Sequence, residues 1–170
     1  MILREEILKE HSKAQCRKIV DWIGDSPKRF NELFHLFLND EYQVVQRAAW
    51  PLSYCAIEHP ELIGTKLEAL IQNLHNPGLH PAVKRNTMRL LQHVAIPDTM
   101  HGEVMDICFT YISSPQEPVA IKAFALTVLQ NLLKVYPEIG SEVKLVIEER
   151  WDYETAAFKS RARKVLKLMK

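Results

Sequence analysis

Val45-Gln46-Arg47-Ala48-Ala49 returns 38 residues later as Val83-Lys84-Arg85-Asn86-Thr87, and 38 after that as Ile121-Lys122-Ala123-Phe124-Ala125. A fourth copy, Phe158-Lys159-Ser160-Arg161-Ala162, follows after 37. The register extends well beyond this stretch. Leu52, Leu90, Val128 and Val165 form one apolar column downstream, and Ser53, Leu91, Leu129 and Leu166 form the next. Upstream, Phe30, Leu67, Met105 and Val143 align, as do Leu33, Leu70, Cys108 and Val146, and Phe34, Ile71, Phe109 and Ile147. Gly64, Gly102 and Gly140 keep the same interval. Self-similarity at a fixed period of this size marks a repeat array, in which each unit buries its apolar face only against its neighbours.

Within each period the apolar residues step by three and four, which predicts helices with one buried face. No strand-like alternation of useful length occurs. The period therefore holds two helices and two turns. Outer helices are predicted over 26–39, 61–75, 99–113 and 138–151, and inner helices over 41–58, 81–96, 117–135 and 154–169, after two short helices over 3–10 and 12–24. Proline at the first helical position is expected after Ser26 and His80, where its missing N–H costs nothing. Asp40 and Asp98 are expected to cap the segments that follow them. The fold expected is all-α: a superhelix of about four helix pairs plus two N-terminal helices, in one domain. Its repeat units would be 26–60, 61–97, 98–137 and 138–170, after N-terminal helices 1–25.

The inner-helix copies resemble the V-[RK]-x-x-A pattern of the HEAT repeat, and Asp40 precedes the first copy as that pattern often requires. The resemblance covers roughly 26–170. It implies an armadillo-like solenoid in which the aspartate and the basic residue link adjacent repeats. By that resemblance Lys84, Lys122 and Lys159 are ladder or surface residues. Gln46 replaces the basic residue in the first copy, and the later copies lack the aspartate.

Composition narrows the function. With 47% apolar residues and a net charge of +1, the chain is neither disordered nor uniformly basic. It has no run of about 18 apolar residues that would cross a membrane. The three cysteines, Cys16, Cys55 and Cys108, are widely spaced and sit in apolar-periodic segments, as expected of buried thiols in a reducing compartment. The first residues carry charge and no apolar stretch of the signal-peptide kind, so a cytoplasmic location is expected. No phosphate loop, nucleophile elbow or zinc-protease motif is found. His101, Glu103 and Asp106 are the nearest approach to a ligand set, and it is a poor one. No catalytic residue, metal or cofactor is expected.

Charge is segregated by layer. The inner segments 41–58, 80–96, 117–134 and 154–170 total +8, whereas the outer segments 26–40, 61–75, 99–113 and 138–152 total −6. A helical wheel puts Arg47, Trp50, Pro51 and Tyr54 away from the core on the first inner helix, and Arg85, Met88, Arg89 and Gln92 on the second. It puts Leu126 and Gln130 on the same face of the third, and Arg163, Lys164 and Lys167 on that of the fourth. Inner helices of a curved solenoid usually line its concave binding surface. The candidate partner-binding residues are thus Arg47, Trp50, Tyr54, Arg85, Arg89, Gln92, Gln130, Lys164 and Lys167. The first expectation is a non-enzymatic protein-interaction module whose partner offers an acidic segment. The second is nucleic-acid binding on the same basic face, which resemblance would relate to the DNA-alkylation-repair glycosylases. Pro51, disfavoured inside a helix by about 3 kcal/mol, would kink the first inner helix beside the aromatics.

Overall fold

A computed structural model describes residues 1–169, and every regular element among them is helical. Ten α-helices follow one another: α1 (Leu3–Lys9), α2 (Lys13–Ile23), α3 (Pro27–Asn39), α4 (Tyr42–Glu58), α5 (Leu67–Asn73), α6 (Pro81–Leu91), α7 (His101–Ser113), α8 (Val119–Leu133), α9 (Gly140–Arg150) and α10 (Ala156–Lys167). The chain divides into two compact units, Met1–Ala95 and Ile96–Lys170.

Local chemistry explains the helix starts. Ser12, Ser26 and Thr155 each accept a hydrogen bond from the backbone N–H three residues on, and Pro27 and Pro81 occupy first positions. His80 Nδ1 accepts from the Ala82 N–H at 2.9 Å, so a histidine caps α6. Asp98 does not cap α7. It lies in a 3-10 turn, Asp98–Met100, that leads into the helix. Similar turns precede α5 and α9, shortening the outer helices relative to the sequence expectation. Asp40 does not cap α4 either, because Arg4 claims its carboxylate through Nε to Oδ2 at 3.0 Å and Nη2 to Oδ1 at 3.1 Å.

In the first unit α4 is central. It packs against α1, α2, α3 and α6. The N-terminal helices therefore act as a further repeat pair, with α2 lying beside α4 as α6 does. Crowding on several sides explains why α4 buries Val44, Ala48, Ala49, Leu52, Ser53, Cys55 and Ala56, more than one face of a helix. Val45, expected in the core column, is only half-buried, and Val44 takes its place. In the second unit α8 packs against α7 and α10, and α7 against α9. Apart from Leu166, which is half-buried, the remaining inner-helix columns expected from the register are buried: Leu52, Leu90, Val128 and Val165 are each at most 1% exposed. Each such side chain contributes about 1.5–3 kcal/mol by leaving water.

Three residues expected on the open face are inside. Pro51, Met88 and Leu126 are all buried. Met88 lies on α6, which packs beside α4, and Leu126 on α8, which packs beside α7 and α10, so these helices bury more than the single face a wheel assigns. Pro51 lies where α4 meets the N-terminal pair, and α4 continues through it as one helix of 17 residues.

Candidate interaction surface

Trp50 and Tyr54 stand one helical turn apart on α4 and form one wall of a cleft of about 250 Å³. The facing wall comes from α2, with Cys16 and Val20 at the floor and Lys13 and Arg17 at the rim. The two floor residues are only 6% and 2% exposed. Burial pushes the Cys16 thiol up to about 11, which leaves it a small hydrophobe at neutral pH. Arg17 is fixed at the rim by Asp21 and Glu58, each at 2.6 Å. Lys13 is exposed and forms no ion pair among the described residues.

The second face of Trp50 is occupied. His11, in the link between α1 and α2, meets the indole edge to face with centroids 5.7 Å apart. Burial, with Arg47, Arg85 and His80 nearby, holds His11 below its ordinary pKa. Arg47 donates to the Leu8 carbonyl at 2.7 Å and so ties α4 to the end of α1.

A buried polar bridge between α4 and α6 sets the position of Arg89. The Ser53 hydroxyl lies 2.8 Å from the Trp50 carbonyl and 3.3 Å from Asn86 Oδ1. Asn86 Nδ2 donates to the Ala82 carbonyl at 2.8 Å, and Arg89 Nη1 donates to Asn86 Oδ1 at 2.8 Å. Held this way, the Arg89 guanidinium lies 5.6 Å from the centroid of the Tyr54 ring, within range of a cation–π attraction.

A family model for the HEAT repeat domain matches residues 3–169. The chain belongs to the HEAT repeat family. Comparison with curated proteins and with solved structures returned no match. The HEAT model takes in the N-terminal helices too, in keeping with their packing as a repeat pair. HEAT repeats generally mediate protein–protein interaction.

The basic positions of the HEAT motif have different fates in this chain. Lys122 is 3% exposed and pairs with Glu154 at 2.5 Å, and Arg150 Nη2 reaches the same carboxylate oxygen at 2.9 Å. Lys159 is half-buried, with its ammonium 5.7 Å from the Trp151 centroid. Asp40 pairs not with a motif lysine but with Arg4 on α1.

Of the nine residues nominated from sequence, Trp50 and Tyr54 share the cleft and Arg89 joins them through its ring contact. Arg47 and Arg85 are half-buried in the same unit, and Gln92 donates to the Arg89 carbonyl at 3.2 Å. In the second unit Gln130 is half-buried on α8, and Lys164 and Lys167 are exposed in the last turn of α10. Sequence reasoning missed Lys13, Cys16, Arg17 and Val20. A step of 38 back from Val45 lands on Ile7 in α1, so the repeat register does not point to α2.

The ligand set considered at His101 does not form. Its Nε2 lies 2.8 Å from the Ile96 carbonyl and its Nδ1 lies 3.0 Å from the Tyr136 hydroxyl. A carbonyl can only accept, so Nε2 carries a proton, and Nδ1 is engaged by the Tyr136 hydroxyl. Both nitrogens are thereby used to pin the start of α7. Among the described residues no group of three or more His, Cys, Asp or Glu could hold a metal ion. No described helix is long and apolar enough to cross a membrane.

Proposed function

We propose that this HEAT protein works by binding another protein through the inner-helix face of its first unit, without chemistry of its own. The observation that carries the reading is the ordered aromatic and cationic surface formed by Trp50, Tyr54 and Arg89 around the α2–α4 cleft. Aromatic and arginine side chains held in place by their own neighbours are the residue types that dominate binding hot spots. Arg47, Arg85 and Gln92 extend this surface, and Gln130, Lys164 and Lys167 form a contact patch on the second unit. The cationic side chains of Arg47, Arg85 and Arg89 in this unit favour a partner with acidic residues. The protein operates in the cytoplasm, with all three thiols reduced.

In-cell cross-linking with the full chain tests the reading, comparing wild type with Arg85→Glu and Trp50→Ala. Specific cross-linked proteins that disappear with either variant are expected. Identical cross-linked sets for all three proteins would overturn the assignment of this face.

A second reading has one observation in its favour: Arg163, Lys164 and Lys167 are all exposed on α10. Such a row would suit a nucleic-acid backbone. Titration of labelled duplex and single-stranded DNA decides it. Affinity that falls steeply with salt and is lost in Lys164→Glu/Lys167→Glu supports it, and no binding at low salt removes it.

A further inference from the structure

We infer that the α2–α4 cleft is a socket for one large apolar or aromatic side chain of an acidic protein segment. This deepens the protein-binding reading above and rests on it. Size comes first. At about 250 Å³ the cleft falls below the range of roughly 300–1,000 Å³ typical of small-molecule sites. A single bulky side chain entering it would displace several waters.

Lining chemistry comes second. The floor is Cys16 and Val20 and the walls are the Trp50 and Tyr54 rings, so the lining is mainly apolar, with the indole N–H and the phenol as its polar handles. A metabolite rich in polar groups would be desolvated there with few replacement partners, whereas an apolar anchor loses nothing. The same argument disfavours a nucleobase, whose polar edges would be stranded.

Charge complementarity fixes the rest of the partner. Lys13 stands exposed at the mouth, Arg89 lies over Tyr54, and Arg47 and Arg85 add positive charge beside His11. Carboxylates flanking the anchor residue would meet Lys13 on one side and the arginines on the other. The socket is held open by elements that do not depend on a partner: Arg17 is tied to Glu58, Trp50 is backed by His11, and Arg89 is bonded to Asn86. Such preorganisation lowers the ordering cost of binding.

The test is a selection of displayed random peptides on the full chain, followed by fluorescence titration of the selected sequences. Enriched peptides are expected to share a Phe, Tyr, Trp, Leu or Met flanked by Asp or Glu. Replacing that residue by Ala should abolish binding. Tyr54→Ala should weaken it about tenfold or more, Lys13→Glu by about threefold, and Tyr54→Phe hardly at all. Lys13→Glu alters an exposed side chain with no ion-pair partner, so it tests the site even if Tyr54→Ala fails to fold. Enrichment of basic or wholly polar peptides, or of none, overturns the socket. So does single-stranded DNA binding that Tyr54→Ala removes. Peptide binding lost in Arg85→Glu but indifferent to Tyr54→Ala and Lys13→Glu also overturns it, while leaving the broader face assignment standing. The cross-linking comparison judges that broader assignment independently.

Discussion

Between α4 and α6 the buried polar atoms are neutral until the last link, where Asn86 hands its oxygen to Arg89 and the guanidinium comes to rest on Tyr54. Where the turn before α10 meets α8 the link is ionic and closed: Lys122 is sealed against Glu154, and Arg150 completes the same carboxylate. The first seam joins α4 to α6, and the second joins α8 to the segment that leads into α10. One delivers a cation to the surface and the other consumes cations inside. A repeat motif therefore specifies where helices meet but leaves open whether a basic residue serves packing or recognition. That choice is made by the one or two polar residues opposite it, here a neutral amide in one seam and a carboxylate in the other.

The largest effect is expected where the ionic seam is broken on one side. Glu154→Ala strands a lysine that is 3% exposed and should cost about 3–5 kcal/mol in urea denaturation. Pairing Glu154→Gln with Lys122→Met should recover most of that loss. A cost under about 1 kcal/mol for Glu154→Ala would mean that water already reaches Lys122. Breaking the neutral seam should cost less: Asn86→Ala deprives Ser53 and Arg89 of a shared partner, at about 2 kcal/mol. If the two substitutions prove equally costly, the contrast between the seams is not electrostatic.

A gain is expected one residue along. Thr87 stands where the other copies have Ala49, Ala125 and Ala162, and its buried hydroxyl finds no partner among the described residues. Thr87→Val should raise stability by about 1 kcal/mol and the melting temperature by about 2–4 °C. An unchanged or lower melting temperature would show that the hydroxyl is satisfied.

The smallest effect concerns the α1–α2 pair, where Glu6 holds Lys18 at 2.7 Å and Gln15 at 2.8 Å. Those bonds pull the Glu6 carboxyl down to about 2 from an ordinary 4.5. The folded form is the weaker proton binder, so this contribution is complete above pH 4.5 and is lost as pH falls toward 2. Glu6→Gln should flatten the stability profile in that window and leave the slope above pH 5 unchanged. Parallel profiles for the two proteins would dismiss the tie.

The repeat register was legible because packing repeats: Leu52, Leu90, Val128 and Val165 are buried for one geometric reason, and a periodic sequence records it. The outer-helix starts were less legible, since 3-10 turns and helical turns share nearly the same residues. Met88 and Leu126 were misplaced because a wheel treats each helix as having one neighbour, whereas an inner helix also has a flank against the next. The candidate surface was half legible. Trp50, Tyr54 and Arg89 could be read from α4 and α6, but the opposing wall belongs to α2, to which the repeat register does not point. The bridge from Ser53 to Asn86 spans two helices, and no local pattern encodes it.

Two of the three thiols give the molecule an internal clock. Burial pushes Cys55 up to about 12 and holds Cys108 well above the ordinary thiol range, and both are 0% exposed. Neither can meet an alkylating reagent until the helices around it part. The first unit contains Cys55 and the second Cys108, so mass spectrometry of a timed alkylation would read the opening rate of each unit separately, in one tube and without an engineered label.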